Sequence, residues 1–88
     1  MKEIVLEGRL LARKENAHEY LKEVMHFPEY YGKNLDALHE CLTDLADTDI
    51  VIMVPEEMDE YLKRVLRVFK AAEKENQNLK IRMIQERE

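Results

Sequence analysis

The segment DIVIMV, residues 49–54, constrains the fold of this 88-residue chain more than any other feature. It is almost wholly apolar, and Pro55 follows it at once, where a regular element must end. A short apolar run of this kind is typical of a strand that other elements cover. We therefore expect a strand in the central layer here, with Ile52 buried.

Two further segments have the features of short strands. Residues 4–6 form a second apolar run, and residues 79–84 alternate between apolar and basic side chains, as a half-buried edge strand does. Lys80 and Arg82 would protect that edge from pairing with another chain. The segments between the strands have helical spacing, so the order is strand, helix, helix, strand, helix, strand. This order predicts βαβ crossovers and a three-stranded parallel sheet in one domain, residues 1–88.

The helix boundaries follow from local signals. Asn16 and Glu19 resemble a capping box, so we expect a first helix to begin at Asn16 and to end near Phe27, before Pro28. The second helix should begin after Asn34, which is a good N-cap, and run to about Ala46. A long third helix should follow the acidic residues 56–59.

Composition excludes several classes of protein. The single cysteine, Cys41, allows no intrachain disulfide, which favours a reducing compartment and therefore the cytoplasm. The first ten residues do not resemble a signal peptide, and no segment approaches the length of a membrane span, so we expect no membrane association.

The net charge of −5 is concentrated in one part of the chain. Residues 28–49 contain one basic residue, Lys33, and six acidic residues: Glu29, Asp36, Glu40, Asp44, Asp47 and Asp49. Acidic and basic residues balance in the rest of the chain. A nucleic-acid-binding protein would have a clustered basic surface instead, so we expect no direct nucleic-acid contact and a cationic partner at this segment.

The second helix separates apolar from polar side chains. At 100° per residue, leucines occupy one side: Leu35, Leu38, Leu42 and Leu45. The opposite side carries Asp36, His39, Glu40, Thr43, Asp44 and Asp47. Such a charged face is most often simply solvated. Tyr30 and Tyr31 before a helix more often pack at the edge of a core than bind a partner. With three histidines and no paired metal motif, we expect no catalytic residue, metal or cofactor.

Two strings in the sequence resemble those of a known family. PEYYGKNLDAL, followed by CLTDL, resembles the central motif of the barstar family of ribonuclease inhibitors, and VLRVFKAAEKE at residues 65–75 resembles its last helix. The resemblance covers essentially the whole chain. It implies a small two-layer α/β domain in which a three-stranded parallel sheet packs against three to four helices. It also implies an intracellular inhibitor that forms a 1:1 complex with a secreted or toxin-type ribonuclease.

The resemblance implies the partner-binding residues as well. In that family a loop and the second helix, which correspond here to about Tyr30 to Leu45, block the cationic ribonuclease active site. The corresponding positions here are Tyr30, Asn34, Leu35, Asp36, His39, Glu40, Thr43, Asp44, Leu45 and Glu75.

The sequence departs from the family pattern within this set. His39 and Leu45 stand where the family has tryptophans, Asp44 replaces a glycine, and Glu40 replaces an aspartate. The segment between Pro55 and Val65 is short, so one short helix should be merged or lost. Two alternatives stay open: an immunity protein against a nuclease toxin domain, and a non-inhibitory acidic interaction module.

Overall fold

The computed structural model describes residues 2–86. Their elements follow in this order: β1 (Lys2–Glu7), a 3-10 turn (Gly8–Leu11), α1 (Lys14–Met25), α2 (Leu35–Thr43), β2 (Thr48–Val54), α3 (Glu60–Glu75) and β3 (Leu79–Gln85). The strands form one parallel sheet in the order β1-β2-β3, so the apolar run at residues 49–54 is central. The predicted α/β fold with its three-stranded parallel sheet is confirmed.

The helices cover one face of the sheet. Ile52 is fully buried, as predicted, and it pairs with Leu6 on β1 and with Met83 on β3. The buried side chains of the edge strands alternate with exposed ones, and Val5 is 54% exposed. On the open face, Arg82 reaches Glu3 at 3.4 Å and Asp49 at 3.3 Å, across all three strands. The domain therefore has two layers, with the core between the helices and the sheet.

Gly8 marks the point where the chain leaves β1. A Cβ atom at this position would lie 2.5 Å from the carbonyl oxygen of Met53, which is closer than side chains tolerate. Only glycine lets the backbone pass this close to β2. The 3-10 turn that begins here was not predicted from the sequence.

The predicted start of α1 is wrong. The helix begins at Lys14, because the carbonyl of Arg13 already accepts a hydrogen bond from the amide of Ala17 at 2.7 Å. Asn16 therefore lies inside the first turn and is not the cap. The helix ends at Met25, close to the predicted end, and His26 follows in the left-handed conformation with φ of 58°.

The predicted end of α2 is also wrong, since the helix stops at Thr43 and not near Ala46. The amide of Leu45 bonds to the carbonyl of Leu42 at 3.3 Å, which tightens the last turn. The side-chain amide of Asn76, at the end of α3, donates to the carbonyls of Leu42 and Leu45, both at 3.0 Å. These carbonyls are satisfied without another helical turn.

The part of the chain that the structure describes contains three α-helices, and residues 55–59 between β2 and α3 form no helix. The loss of a short helix in this segment agrees with its length. None of the described helices has the length and apolar character needed to cross a membrane.

Candidate functional site

The loop of residues 28–34 leads into α2 and holds two adjacent tyrosines in opposite environments. Tyr31 is buried, and its ring packs against Phe27 with the ring centres 4.8 Å apart. Its hydroxyl lies 2.6 Å from Nδ1 of His18 on α1. Tyr30 is 88% exposed. Because its neighbour is fixed in the core, Tyr30 projects from a defined position in the loop before the helix.

Local hydrogen bonds fix the first turn of α2. The side-chain oxygen of Asn34 accepts from the amide of Ala37 at 2.7 Å, so the predicted N-cap is confirmed. The side-chain amide of Asn34 donates to the carbonyl of Gly32 at 3.3 Å. Asp36 is exposed in the first turn, where its carboxylate interacts favourably with the helix dipole. The cap and the dipole together set the direction in which this end of the helix presents its side chains.

The outer side of α2 and the residues just after it form an acidic surface. Its members are Asp36, Glu40, Asp44 and Asp47, and all four are exposed. On the inner side, Leu38 and Leu42 are fully buried, while Leu35 and Leu45 are partly buried against the core. The leucines pack into the core and fix the position of the helix, so the helix presents the carboxylates of the acidic surface in defined positions.

Of the remaining expected contact residues, His39 and Glu75 join α2 to α3, whereas Thr43 bonds within α2. Nε2 of His39 lies 2.6 Å from a carboxylate oxygen of Glu75, which brings the end of α3 beside the acidic surface. Thr43 is partly buried, and its hydroxyl donates to the carbonyl of Glu40 at 2.9 Å. The structure thus places Glu75 with the α2 residues although it is distant in sequence.

The structure does not place all ten expected residues equally at the surface. Tyr30, Asn34, Asp36, Glu40, Asp44 and Glu75 are exposed, whereas Leu35, His39, Thr43 and Leu45 are half-buried. The leucines contribute chiefly to the core, so only the edges of their side chains can meet a partner.

Sequence reasoning missed the residues that support this site from behind. His18 is 1% exposed, and its second ring nitrogen, Nε2, lies 2.5 Å from the hydroxyl of Tyr61 on α3. Burial, with a smaller effect of Lys14, lowers the pKa of His18. Burial raises the pKa of Tyr31 and of Tyr61. One signal was available: His18 has helical spacing with the apolar residues Leu21 and Met25.

Cys41 lies on the half-buried flank of α2. Burial raises the pKa of its thiol, and the nearby Asp44 and Glu40 act in the same direction. It therefore stays protonated at neutral pH, as expected for a small packing residue. Within residues 2–86, no group of three or more His, Cys, Asp or Glu side chains is arranged to hold a metal ion.

Comparison with known proteins agrees with this architecture. The family model described as barstar, the barnase inhibitor, matches residues 1–86. A Bacillus subtilis (strain 168) protein named "Putative ribonuclease inhibitor YrdF" is 41% identical over 54 residues. That match covers 61% of this chain and 59% of the relative. The loop before α2, the capped acidic helix and the three-stranded parallel sheet all occur within the matched residues, and the chain belongs to the barstar family.

Proposed function

We propose that this protein is an intracellular inhibitor of a barnase-like ribonuclease, and that the loop of residues 28–34 and the acidic surface of α2 block the cationic active site. The partner is a secreted or toxin-type ribonuclease. The inhibitor is located in the cytoplasm and forms a 1:1 complex with it. The family to which the chain belongs and the name of its relative from Bacillus subtilis support the general role.

The observation that carries the proposal is the acidic surface on a capped helix, together with the nearly fully exposed Tyr30 in the loop before it. Four exposed carboxylates follow one another along α2 and just beyond it, and the exposed Tyr30 lies in the loop that leads into this helix. An exposed aromatic side chain at this position has no role in the core of this chain. Tyrosine is enriched among the residues that contribute most to protein interfaces.

The chemistry of the target explains why acids suit this surface. A ribonuclease active site is cationic, because it must hold a phosphodiester and stabilise negative charge in the transition state. Carboxylates can occupy the positions of the phosphate oxygens. Since α2 is capped by Asn34 and anchored by its leucines, little conformational entropy is lost when these groups bind.

Within this surface we assign the largest share of the binding free energy to Glu40, with Asp36 next. Glu40 lies near the middle of α2, and its exposed side chain has no ion-pair partner among the described residues. Asp36 lies one turn earlier on the same side. Removing a carboxylate that binds a cationic site leaves the partner's charges buried and unpaired, which typically costs about 2–5 kcal/mol.

Barnase is a suitable probe for the test. The purified chain should stop RNA cleavage at a 1:1 ratio, and Glu40→Ala should weaken binding by the amount given above. Glu23→Ala is a matched control, because Glu23 is also an exposed helical carboxylate but lies on α1. Both variants should unfold at wild-type denaturant concentrations or slightly above, since Glu40→Ala also relieves repulsion from Asp36 and Asp44.

The outcomes separate the proposal from its alternatives. If Glu40→Ala remains folded and binds within about twofold of wild type, the carboxylates do not mimic the substrate and the acidic face is only solvated. If barnase is not inhibited, the proteins that co-purify with the chain from its native cell should be identified. Recovery of a nuclease toxin domain would favour the immunity protein. Recovery of a partner without nuclease activity would favour the acidic interaction module.

A further inference from the structure

One buried histidine connects the candidate loop to two helices. His18 on α1 lies 2.6 Å from the hydroxyl of Tyr31 in the loop and 2.5 Å from the hydroxyl of Tyr61 on α3. We call these three residues the histidine–tyrosine network. His18 is 1% exposed and Tyr31 is 5% exposed, so water has little access to the contact between them. Each ring nitrogen of His18 has a tyrosine hydroxyl within hydrogen-bond distance.

When His18 is neutral, the burial of the two tyrosines determines which group donates each hydrogen bond in the network. Among the described residues, His18 is the only hydrogen-bond partner of the buried Tyr31 hydroxyl. That hydroxyl must donate to Nδ1, since a buried O–H group without an acceptor is costly. Nε2 then carries the ring proton and donates to Tyr61, whose half-buried hydroxyl can donate to water. In this arrangement every donor has an acceptor.

A second proton on His18 is incompatible with this arrangement. Nδ1 becomes a donor, so the Tyr31 hydroxyl must accept from it and its own proton loses its acceptor. The new positive charge also lies in a buried position. The contact that holds the loop is then reversed and leaves the buried Tyr31 O–H unpaired unless the loop opens to water, whereas the bond to Tyr61 keeps its direction.

The charged and titratable groups around the network do not compensate for this proton. Lys14 on α1 raises the cost of a positive charge at His18. Tyr31 has Cys41 of α2 and Tyr61 of α3 near it, and burial keeps all three protonated at neutral pH. Near Tyr61, Arg64 and Glu15 carry opposite charges. No carboxylate bonds to the His18 ring among the described residues.

The other side-chain ties between the loop and α1 lie at the surface. Lys22 pairs with Glu29 at 3.3 Å, and Lys33 pairs with Glu19. Exposed ion pairs of this kind contribute little to stability. Among these ties, only the hydrogen bond from Tyr31 to His18 is buried. It is therefore the side-chain tie between the loop and α1 that water cannot readily replace.

We propose that His18 is a positioning residue for the partner-binding loop: its neutral ring holds Tyr31, and through it Tyr30 and the start of α2, and proton uptake by His18 releases this loop. The consequence for binding rests on the function proposed above. Through the histidine–tyrosine network, mild acidification would weaken binding. The residue that takes up the proton lies behind the contact surface and does not touch the partner.

The loop itself can be tested on the free protein by amide hydrogen exchange. The amides of Tyr31 and Ala37 are hydrogen-bonded within the loop and the first turn of α2, so their protection factors report on local opening. Between pH 7 and pH 5, we expect their protection factors to fall by about tenfold, the size of effect that an unpaired buried hydroxyl produces, and to stay below that of Phe69 in α3, which reports on global unfolding.

Two tyrosine-to-phenylalanine variants make the test specific. Tyr31→Phe keeps the ring against Phe27 but removes the hydroxyl, so protection at the start of α2 should be low already at pH 7 and nearly independent of pH. Tyr20→Phe is the matched control: the Tyr20 hydroxyl accepts from the amide of Glu7 at 2.9 Å, away from the loop. It should retain the wild-type pH dependence. The proposal would be overturned by equal behaviour of the two variants, by unchanged protection of the Tyr31 and Ala37 amides in the wild type, or by protection of these amides equal to that of Phe69.

Binding to barnase adds the functional consequence. Affinities should be measured at pH 7 and pH 5 in a His39→Gln background, which removes the half-buried histidine of α2 from the expected contact set. The parent should lose about tenfold more affinity than its Tyr31→Phe derivative, because only the parent has a loop to release. Equal losses would overturn the link to binding. If barnase does not bind at all, the proposed function fails, while the exchange experiment still decides the role of His18.

Discussion

Asn76 joins two elements through one side chain. Its amide donates to two carbonyls at the end of α2, and its side-chain oxygen accepts from the amide of Asn78 at 2.9 Å. The residue is 7% exposed, so water cannot replace these bonds. Asn76 therefore fixes where α2 ends and, with it, how the acidic surface lies against α3.

Replacement of Asn76 by aspartate should be strongly destabilising for this reason. The shape is retained, but the two α2 carbonyls lose their donor and face a carboxylate. We expect Asn76→Asp to lower the free energy of unfolding by about 1–3 kcal/mol or more, the cost of leaving buried polar groups unpaired. Asn78→Asp is the control, because Asn78 is exposed. Urea denaturation should separate the two variants; equal stabilities would mean that Asn76 does not support α2.

Single residues also show how far the sequence could predict the site. The Asn34 cap was predictable because it acts within three residues, on the amide of Ala37. The contacts of His18 were not, because its partners Tyr31 and Tyr61 are 13 and 43 residues away. Nothing in a local pattern distinguishes a histidine that bonds to two tyrosines from one that simply fills a helix face.

At the level of elements, the strands were predicted better than the helix ends. The central strand follows from five consecutive apolar residues, 50–54, which must be covered by other elements whatever the details of the fold. The end of α2 depends on Asn76, which is supplied by another helix. The end of α1 depends on His26 in a left-handed conformation that glycine or asparagine would ordinarily mark. Tertiary contacts and unusual backbone angles therefore decided what the local signals left open.

The contact between α2 and α3 leads to a prediction about binding and pH. His39 lies 2.6 Å from Glu75, and both belong to the expected contact set. When His39 takes up a proton, it adds positive charge to a surface that is proposed to meet a cationic site, and it neutralises Glu75. Binding to barnase should therefore weaken on acidification through this residue.

The measurement compares wild type with His39→Gln over the same pH range, because the histidines of the nuclease titrate as well. The wild type should lose more affinity than the variant as the pH falls. Identical profiles would remove His39 from the account and leave the Glu75 carboxylate as the sole contribution of α3.

For the whole molecule, the lowered pKa of His18 predicts how stability depends on pH. Its folded-state pKa lies below the ordinary value of 6.5, so in mild acid the folded protein binds fewer protons at this site than the unfolded chain. Stability should then decrease as the pH falls below about 6.5, and this loss is complete below the folded-state pKa. Glu73 contributes separately at lower pH, because its hydrogen bond from the amide of Ile81 lowers its pKa from 4.5.

Thermal or urea unfolding at several pH values should show these two windows. His18→Gln should remove the decrease that begins near pH 6.5 and leave the one at lower pH. His26→Asn is the control, since His26 is exposed and asparagine tolerates its left-handed backbone. If His18→Gln and wild type lose stability in parallel between neutral pH and the Glu73 window, His18 does not govern the acid response.

The distribution of charge over the whole domain gives α2 and α3 different exposed surfaces. Acidic residues dominate residues 28–49, whereas the exposed side of α3 carries Lys63, Arg67, Lys70 and Lys74. Screening limits charge interactions to roughly 8 Å at physiological salt, so an approaching cationic protein responds to the nearest cluster rather than to the net charge. The domain should therefore approach a cationic partner with α2 foremost.

Asp47 tests this orienting effect because it lies at the margin of the acidic surface, exposed and just before β2. Asp47→Asn should slow association with barnase and reduce its dependence on salt, while the dissociation rate changes little, as is typical of charges at the rim of an interface. Glu57→Gln removes the same charge beyond the opposite end of β2 and should leave both rates close to those of wild type. Stopped-flow kinetics at several salt concentrations would measure this difference. A change confined to the dissociation rate would place Asp47 inside the contact instead of at its edge, and equal effects of the two variants would show that net charge alone determines the encounter.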